Sequence, residues 1–431
     1  MPHRMFLGAA LMAAALGGAL PAAAATAVYE TSGSMPAASA VARFYEARQQ
    51  PLWLQSPDAV RTLLDALSTA DVDGLAQGPE LAARIERVLG DADAGVPGAA
   101  REAERLISNA FVLHAQVLKW PGNNGIIYAD PSLAPRVPSP AGILERAASA
   151  PDLAAFVRQT VDVNPIHAAL REAAIKDMRL LGTPSRAMKA SLERSRLLPS
   201  EGRFVLVDVA SQQLMMIEDG RVVDQMKVVV GKPGMKTPLL AGTLRQATFN
   251  PYWNVPVDLA ASNVAQNVLK NGLGWFRSRN YEVLSDWTND ATVLDPASID
   301  WQAVADGRVE ARVRQRPGPG NSMGAMKFEF PNDRGIYLHD TPDRQLFSEA
   351  ERTFSSGCVR LEDAARLGRW LLGREAVASS SQPELNVALP TPVPVFLTYL
   401  TVRPGANGTL AYAPDVYGLD TAGEGQLAAA Q

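Results

Sequence analysis

A single cysteine, Cys358, stands in a chain of 431 residues, within the run Phe-Ser-Ser-Gly-Cys-Val-Arg-Leu. A thiol near pKa 8.5 is mostly protonated at neutral pH, so a nucleophilic cysteine needs an imidazole, a cation or a helix N-terminus beside it. Of four histidines, His339 is the one placed to help. It ends the apolar run Gly-Ile-Tyr-Leu, opens a polar turn, and precedes Cys358 by 19 residues. The flanking Ser355, Ser356 and Gly357 mark the thiol as exposed, and a helix is expected soon after it. Gly357 lets backbone approach a substrate carbonyl, and N–H groups around Gly357 and Cys358 would form an oxyanion hole. The chemistry this implies is nucleophilic attack by sulfur on a carbonyl.

The other histidines read as packing or surface groups. His114 lies beside an apolar stripe and His167 in a helical first turn, and neither has an acidic or cysteine partner at ligand spacing. One cysteine excludes an intramolecular disulfide and any Cys-rich zinc or iron–sulfur site. No metal and no cofactor is expected.

The elements that must hold these residues fall into two kinds. Ser56-Pro57 reads as a helix start, followed by Val60, Leu63, Leu64 and Leu67 at helical spacing. Leu106, Ala110, Leu113 and Val117 repeat the stripe, and Asn164-Pro165 opens another helix. Residues 41–200 are therefore expected to be a helical domain with a short helical connector from Ile175 to Ser200. At Gly202 the period changes to short β-type runs at 204–209, 214–217 and 222–230, with Asp219-Gly220 as a hairpin turn. Further strands are expected at 244–249, 326–330, 335–338 and 395–402, and an amphipathic helix at 363–372. Residues 257–318, with Trp275, Trp287 and Trp301, interrupt the β pattern and read as an insertion ending in the stiff Arg316–Gly320 connector. The fold class is multidomain α+β: an N-terminal helical domain, then a β-rich domain of residues 201–415 with an inserted subdomain. Residues 416–431 are expected to be a flexible tail.

The first 25 residues have a polar start, an Ala/Gly/Leu/Met run and several small-x-small sites, which is the pattern of a cleaved secretory signal peptide. Residues 26–40 read as a polar linker. The expected location is the periplasm. A net charge of −4, from 41 Lys and Arg against 45 Asp and Glu, gives no electrostatic footprint for nucleic acid.

The sequence His-Asp-Thr, then Ser-Ser-Gly-Cys-Val-Arg-Leu, preceded by Phe249-Asn250-Pro251-Tyr252-Trp253-Asn254-Val255-Pro256, resembles the L,D-transpeptidases with a YkuD-type catalytic domain. The likeness is to the large capped periplasmic branch of Gram-negative bacteria, strong over residues 200–415. It implies that Cys358 attacks the diaminopimelate carbonyl of a peptidoglycan tetrapeptide stem, expels D-alanine, and passes the acyl group to an amine on a second stem. In that scheme His339 is the base and the Asp340 carbonyl holds its tautomer. Tyr337, on the same strand face, would donate to the oxyanion. Trp253 would contact substrate and the insertion would cap the site. Arg360 has two readings, recognition of a substrate carboxylate or pairing with Glu362 or Asp363. Ser355 and Ser356 likewise could bind substrate or cap the following helix. Acylation by carbapenems is implied, as is a possible cell-wall protein partner, because no peptidoglycan-binding module is evident between residues 170 and 200.

Overall fold

The computed structural model describes residues 37–48, 50–120, 122, 124–405 and 408–420. The expected signal peptide and the first residues of the expected linker lie outside them. Six helices, α1 (Ala37–Ala47), α2 (Pro57–Leu67), α3 (Gly78–Asp93), α4 (Ala99–Lys119), α5 (Pro140–Ser149) and α6 (Leu153–Val161), share one apolar core. Pro57 opens α2 with its fixed φ, although Ser56 makes no side-chain cap bond. Val60, Leu63 and Leu67 are buried, as the stripe requires, and Leu106 and Ala110 of α4 meet the same core. Helix α1 starts inside the segment read as linker, because Ala40 and Val41 find buried positions there.

Two further helices follow, α7 (Pro165–Leu181), which opens at Asn164-Pro165 as expected, and α8 (Arg186–Ser195), within the segment expected to be a short helical connector. Asn164 caps α7 by accepting from the His167 N–H (2.9 Å) and donates to the Ser195 carbonyl (2.8 Å), which joins the two helices. Helix α8 docks on the β-rich domain: Arg194 donates to the carbonyls of Tyr399 (2.9 Å) and Leu419 (2.6 Å). That contact extends the folded domain past residue 415. Tyr417 is buried, and its hydroxyl donates to the Gly231 carbonyl, so residues 416–420 pack rather than form a tail.

The main sheet takes β1 (Ile127–Tyr128) from the helical half. Its other members are β2 (Arg203–Asp208), β3 (Gln213–Glu218), β4 (Arg221–Gly231) and β5 (Leu240–Phe249). Strands β6 (Trp253–Asn254), β7 (Tyr281–Leu284), β8 (Val293–Leu294) and β9 (Arg312–Gln315) instead make a separate four-stranded sheet in the insertion. The main sheet resumes with β10 (Met326–Glu329), β11 (Tyr337–His339), β12 (Thr353–Ser355), β13 (Val359–Leu361) and β14 (Leu385–Thr398). The order is β1-β5-β10-β11-β13-β4-β3-β2-β14, and β14 also pairs with β5, closing the sheet on itself.

One face of this sheet is apolar. Phe328, Leu338, Val359 and Leu361 point into a core that also takes Leu367, Leu371 and Leu372 from the helix Ala364–Leu372. Burying each such side chain contributes about 1.5–3 kcal/mol. Because side chains alternate along a strand, the neighbours of these residues must appear on the opposite face. The insertion has its own core, in which Phe276, Val283, Trp301 and Val313 are buried.

Candidate active site

The strand register builds the site. On β10, between core residues Met326 and Phe328, Lys327 turns to the opposite face and pairs with Thr248 of β5 and His339 of β11. His339 in turn pairs with Arg360 of β13. One level along, Glu329 pairs with Tyr337, and the β11–β13 register brings Cys358, one residue before β13, level with Tyr337. His339 and Cys358 are thus diagonal neighbours on one sheet face, with Lys327 and Arg360 flanking the imidazole.

The imidazole is buried and oriented. Its Nδ1 lies 2.6 Å from the Asp340 carbonyl oxygen. A carbonyl only accepts, so Nδ1 carries the proton and Nε2 is left as the basic nitrogen. Burial, then Arg360, and more weakly Lys327, push the His339 pKa down to about 3, against a small opposing effect of the Asp340 bond. The neutral ring is therefore the resting form.

Cys358 is half-buried rather than exposed. Burial raises its pKa above the ordinary thiol value, while the Tyr337 backbone N–H and Arg360 pull in the opposite direction. The thiol donates to the Gly335 carbonyl at 3.5 Å. The next helix does not start at the thiol, because β13 intervenes before the helix that Asp363 caps. Both groups are thus held toward their neutral forms, on one face of the sheet.

The turn that carries the thiol is fixed from below. Ser355 is buried: its hydroxyl donates to the Cys358 carbonyl (2.6 Å) and accepts from the Gly357 N–H (3.1 Å). It holds the turn and does not cap the following helix, which Asp363 caps. Gly357 has φ +118°, a region hostile to side chains. Its carbonyl accepts from Thr237 at 2.7 Å. Its N–H, expected to serve an oxyanion, is bonded to the Ser355 hydroxyl. Ser356 is exposed beside the turn.

Arg360 pairs with Asp343 at 3.1 Å, not with Glu362 or Asp363. Asp363 caps the following helix through the Arg366 N–H. Tyr337 is kept protonated by burial and by Glu329, so its hydroxyl stays a donor. Trp253 belongs to the insertion: β6 pairs with β9, and the Trp253 ring lies 6.2 Å from that of Tyr281. It is partly buried against that subdomain's core.

Sequence reasoning missed Lys327, Thr237 and Asp343. Lys327 is a buried ammonium held by Glu329 (2.7 Å) and Glu384 (3.3 Å), with the Tyr337 ring centroid 5.7 Å away. The alternation of Met326-Lys327-Phe328-Glu329 was a usable signal, since a charge inside an apolar strand marks the non-core face. Thr237 and Asp343 offered none. Among the described residues, no three His, Cys, Asp or Glu side chains gather to hold a metal.

Residues 202–395 match the family of the YkuD L,D-transpeptidase catalytic domain, and residues 39–173 match the Scaffold domain family. A curated relative from Haemophilus influenzae, provisionally named an L,D-transpeptidase, is 34% identical over 245 residues, which covers 55% of this chain and 48% of the relative. The chain thus spans about half the length of the curated relative it matches. Among solved structures, an L,D-transpeptidase from Mycobacterium smegmatis is 15% identical, covers 45% of this chain and 58% of its own, and superposes with a TM-score of 0.22. L,D-transpeptidase 3 from Mycobacterium tuberculosis, in complex with a faropenem-derived adduct, is 13% identical with coverage of 46% and 60% and a TM-score of 0.21. Superpositions that slight add nothing to the sequence match.

Proposed function

We propose that this chain, whose residues 202–395 are a YkuD-type L,D-transpeptidase catalytic domain, forms 3→3 cross-links between peptidoglycan stems in the periplasm. The observation that carries the mechanism is the neutral, tautomer-fixed His339 set diagonally to the only thiol of the chain. Sulfur attacks the carbonyl carbon of the third stem residue as Nε2 of His339 takes the thiol proton. Tyr337 donates to the oxygen that becomes negative. When the C–N bond to D-alanine breaks, the imidazolium returns its proton to the leaving amine, and a thioester remains on Cys358. An amine of a second stem then attacks the thioester, His339 accepts its proton, and sulfur leaves to be reprotonated.

Export supplies the reason for this chemistry. Outside the cytoplasm no nucleotide triphosphate is at hand, and each new amide must draw on the energy of one already made. The insertion would cover the donor stem and keep water from the thioester.

The test is mass spectrometry of products from a disaccharide tetrapeptide, with a penem or carbapenem as a probe of Cys358. The reading expects cross-linked dimer, released D-alanine, and one drug mass on the native protein at Cys358. Trimmed tripeptide alone would make the enzyme a hydrolase. Labelling no faster than in denatured protein would show that Cys358 is not activated.

A further inference from the structure

The insertion and the catalytic histidine are joined by a short set of buried hydrogen bonds that the mechanism above does not use. Both ends of the insertion meet at Asn321, which is 1% exposed. Its amide donates to the Pro251 carbonyl (3.1 Å) on the entering chain and to the carbonyls of Gln315 (3.2 Å) and Arg316 (2.9 Å) on the leaving chain. Its side-chain oxygen accepts from the Met323 N–H at 2.7 Å. From there the chain turns at Gly324, which donates from N–H to the Asn321 carbonyl (2.9 Å) and takes φ +62°. A Cβ at Gly324 would lie 2.4–2.5 Å from the side chain of Asp340. The next residue, Ala325, donates its N–H to Oδ2 of Asp340 at 2.8 Å, and Arg344 pairs with Oδ1. The backbone carbonyl of this same Asp340 holds Nδ1 of His339. A cavity of about 350 Å³ lies along one side, lined by Gly318, Pro319, Gly324, Asp340 and Arg344 among others, which leaves the connector room to shift.

We propose that Asn321 and the Asp340 carboxylate are positioning residues that tie the seating of the insertion to the orientation of His339. With the insertion seated, loop 321–325 presses on Asp340 and fixes the plane of its carbonyl. When the insertion shifts, that carbonyl turns and the imidazole loses its anchor. The base is then fully formed only when the site is covered, so acylation is suppressed in the open enzyme. This rests on His339 acting as the base toward Cys358.

Two variants test it, Asn321→Asp, which keeps the volume but loses both donors, and Asp340→Asn, which keeps the carbonyl but loses the pair with Arg344. The readouts are the single-turnover rate of Cys358 acylation by a penem and the proton resonance of His339 Nδ1–H. Each variant should slow acylation about tenfold through misplacement of the base, with the Nδ1–H resonance broadened or shifted and the cooperative melt retained. The double variant should be no slower than the worse single, because both act on one link. If either variant does not fold, Gly324→Ala replaces it, since its Cβ strikes Asp340 directly. Additive losses, or an unmoved resonance, would overturn the link while leaving His339 as base. Failure of the wild-type protein to acylate would instead overturn the functional reading beneath it.

Discussion

Two buried histidine clusters in this chain obey the same electrostatics and do opposite things. In the catalytic half, His339 sits between Lys327 and Arg360 with its pKa driven down to about 3. At the joint between the helical halves, Asp73 gathers Arg171 (2.8 Å), Nε2 of His114 (3.3 Å) and the guanidinium of Arg196, which bonds its carbonyl at 2.8 Å. His167 lies in the same cluster, pushed down to about 4 by burial against the pull of Asp73. A depressed histidine therefore does not mark a catalyst. What separates the two is where the ring nitrogens go. In the joint, Nε2 of His114 is used on a carboxylate, and no thiol is near because the chain has only one. In the site, Nδ1 of His339 bonds a backbone carbonyl, and the ring lies on the sheet face that bears Cys358.

The largest effects expected should split cleanly along this line. Cys358→Ala or His339→Ala should cost about 10³-fold or more in cross-linking with the fold intact, and the double variant should lose no more, because the two act as a unit. Asp73→Ala should do the reverse. It removes the buried carboxylate that pairs with Arg171 and His114 and should cost about 3–5 kcal/mol of stability, with acylation per folded molecule unchanged. Urea unfolding and single-turnover acylation measured side by side decide it. Loss of acylation in folded Asp73→Ala would erase the distinction.

A smaller effect is set by pH. Both His339 and His167 have folded pKa values below the usual 6.5, near 3 and 4. Between pH 6.5 and about 4 the unfolded chain therefore binds more protons than the folded one, so stability rises with pH across that window and is lost on acidification. The slope approaches about 1.4 kcal/mol per pH unit for each group. His167→Gln should remove one group's share without moving the pH profile of acylation. The acid limb of acylation should lie well below pH 6, where a free histidine would place it. An acid limb near 6.5 would mean that His339 is not shielded as described.

The sequence displayed the site more fully than its supports. His339, Cys358 and Gly357 announced themselves because strand end, turn glycine and lone thiol are local signals. The bond from Nδ1 to the Asp340 carbonyl is local too. Asp343 as partner of Arg360, and Asp73 as partner of His114, are set by tertiary packing between residues 17 and 41 positions apart, and no spacing rule reaches them. The start of β14 was hidden for another reason. Leu385–Thr398 contains Pro390, Pro392 and Pro394, which argue against a strand. The chain tolerates Pro390 and Pro392 because its register with β5 is interrupted between Ala388 and Val393, where ladder donors are not needed, while Pro394 lies beyond the interruption, opposite Thr243. Tyr417 was unreadable because its partner, the Gly231 carbonyl, lies 186 residues away.

The smallest effect concerns two adjacent serines, which repeat the comparison within one turn. Ser355 is buried and its hydroxyl serves both the Cys358 carbonyl and the Gly357 N–H. Removing it leaves two backbone groups to find new partners and frees Gly357 from the left-handed turn that presents the thiol. Ser355→Ala should therefore slow acylation about tenfold, since displacing the nucleophile from its attack geometry costs far more than losing one average hydrogen bond. Ser356 is exposed, and surface substitutions of that kind usually stay within about 0.5 kcal/mol. Ser356→Ala should change acylation by about twofold or less. The check is the rate of adduct formation for both variants, with the melting temperature as control for folding. A Ser356→Ala loss as large as that of Ser355→Ala would give the exposed hydroxyl a substrate contact, and would put burial and bond count aside as the guide to which polar groups of this site matter.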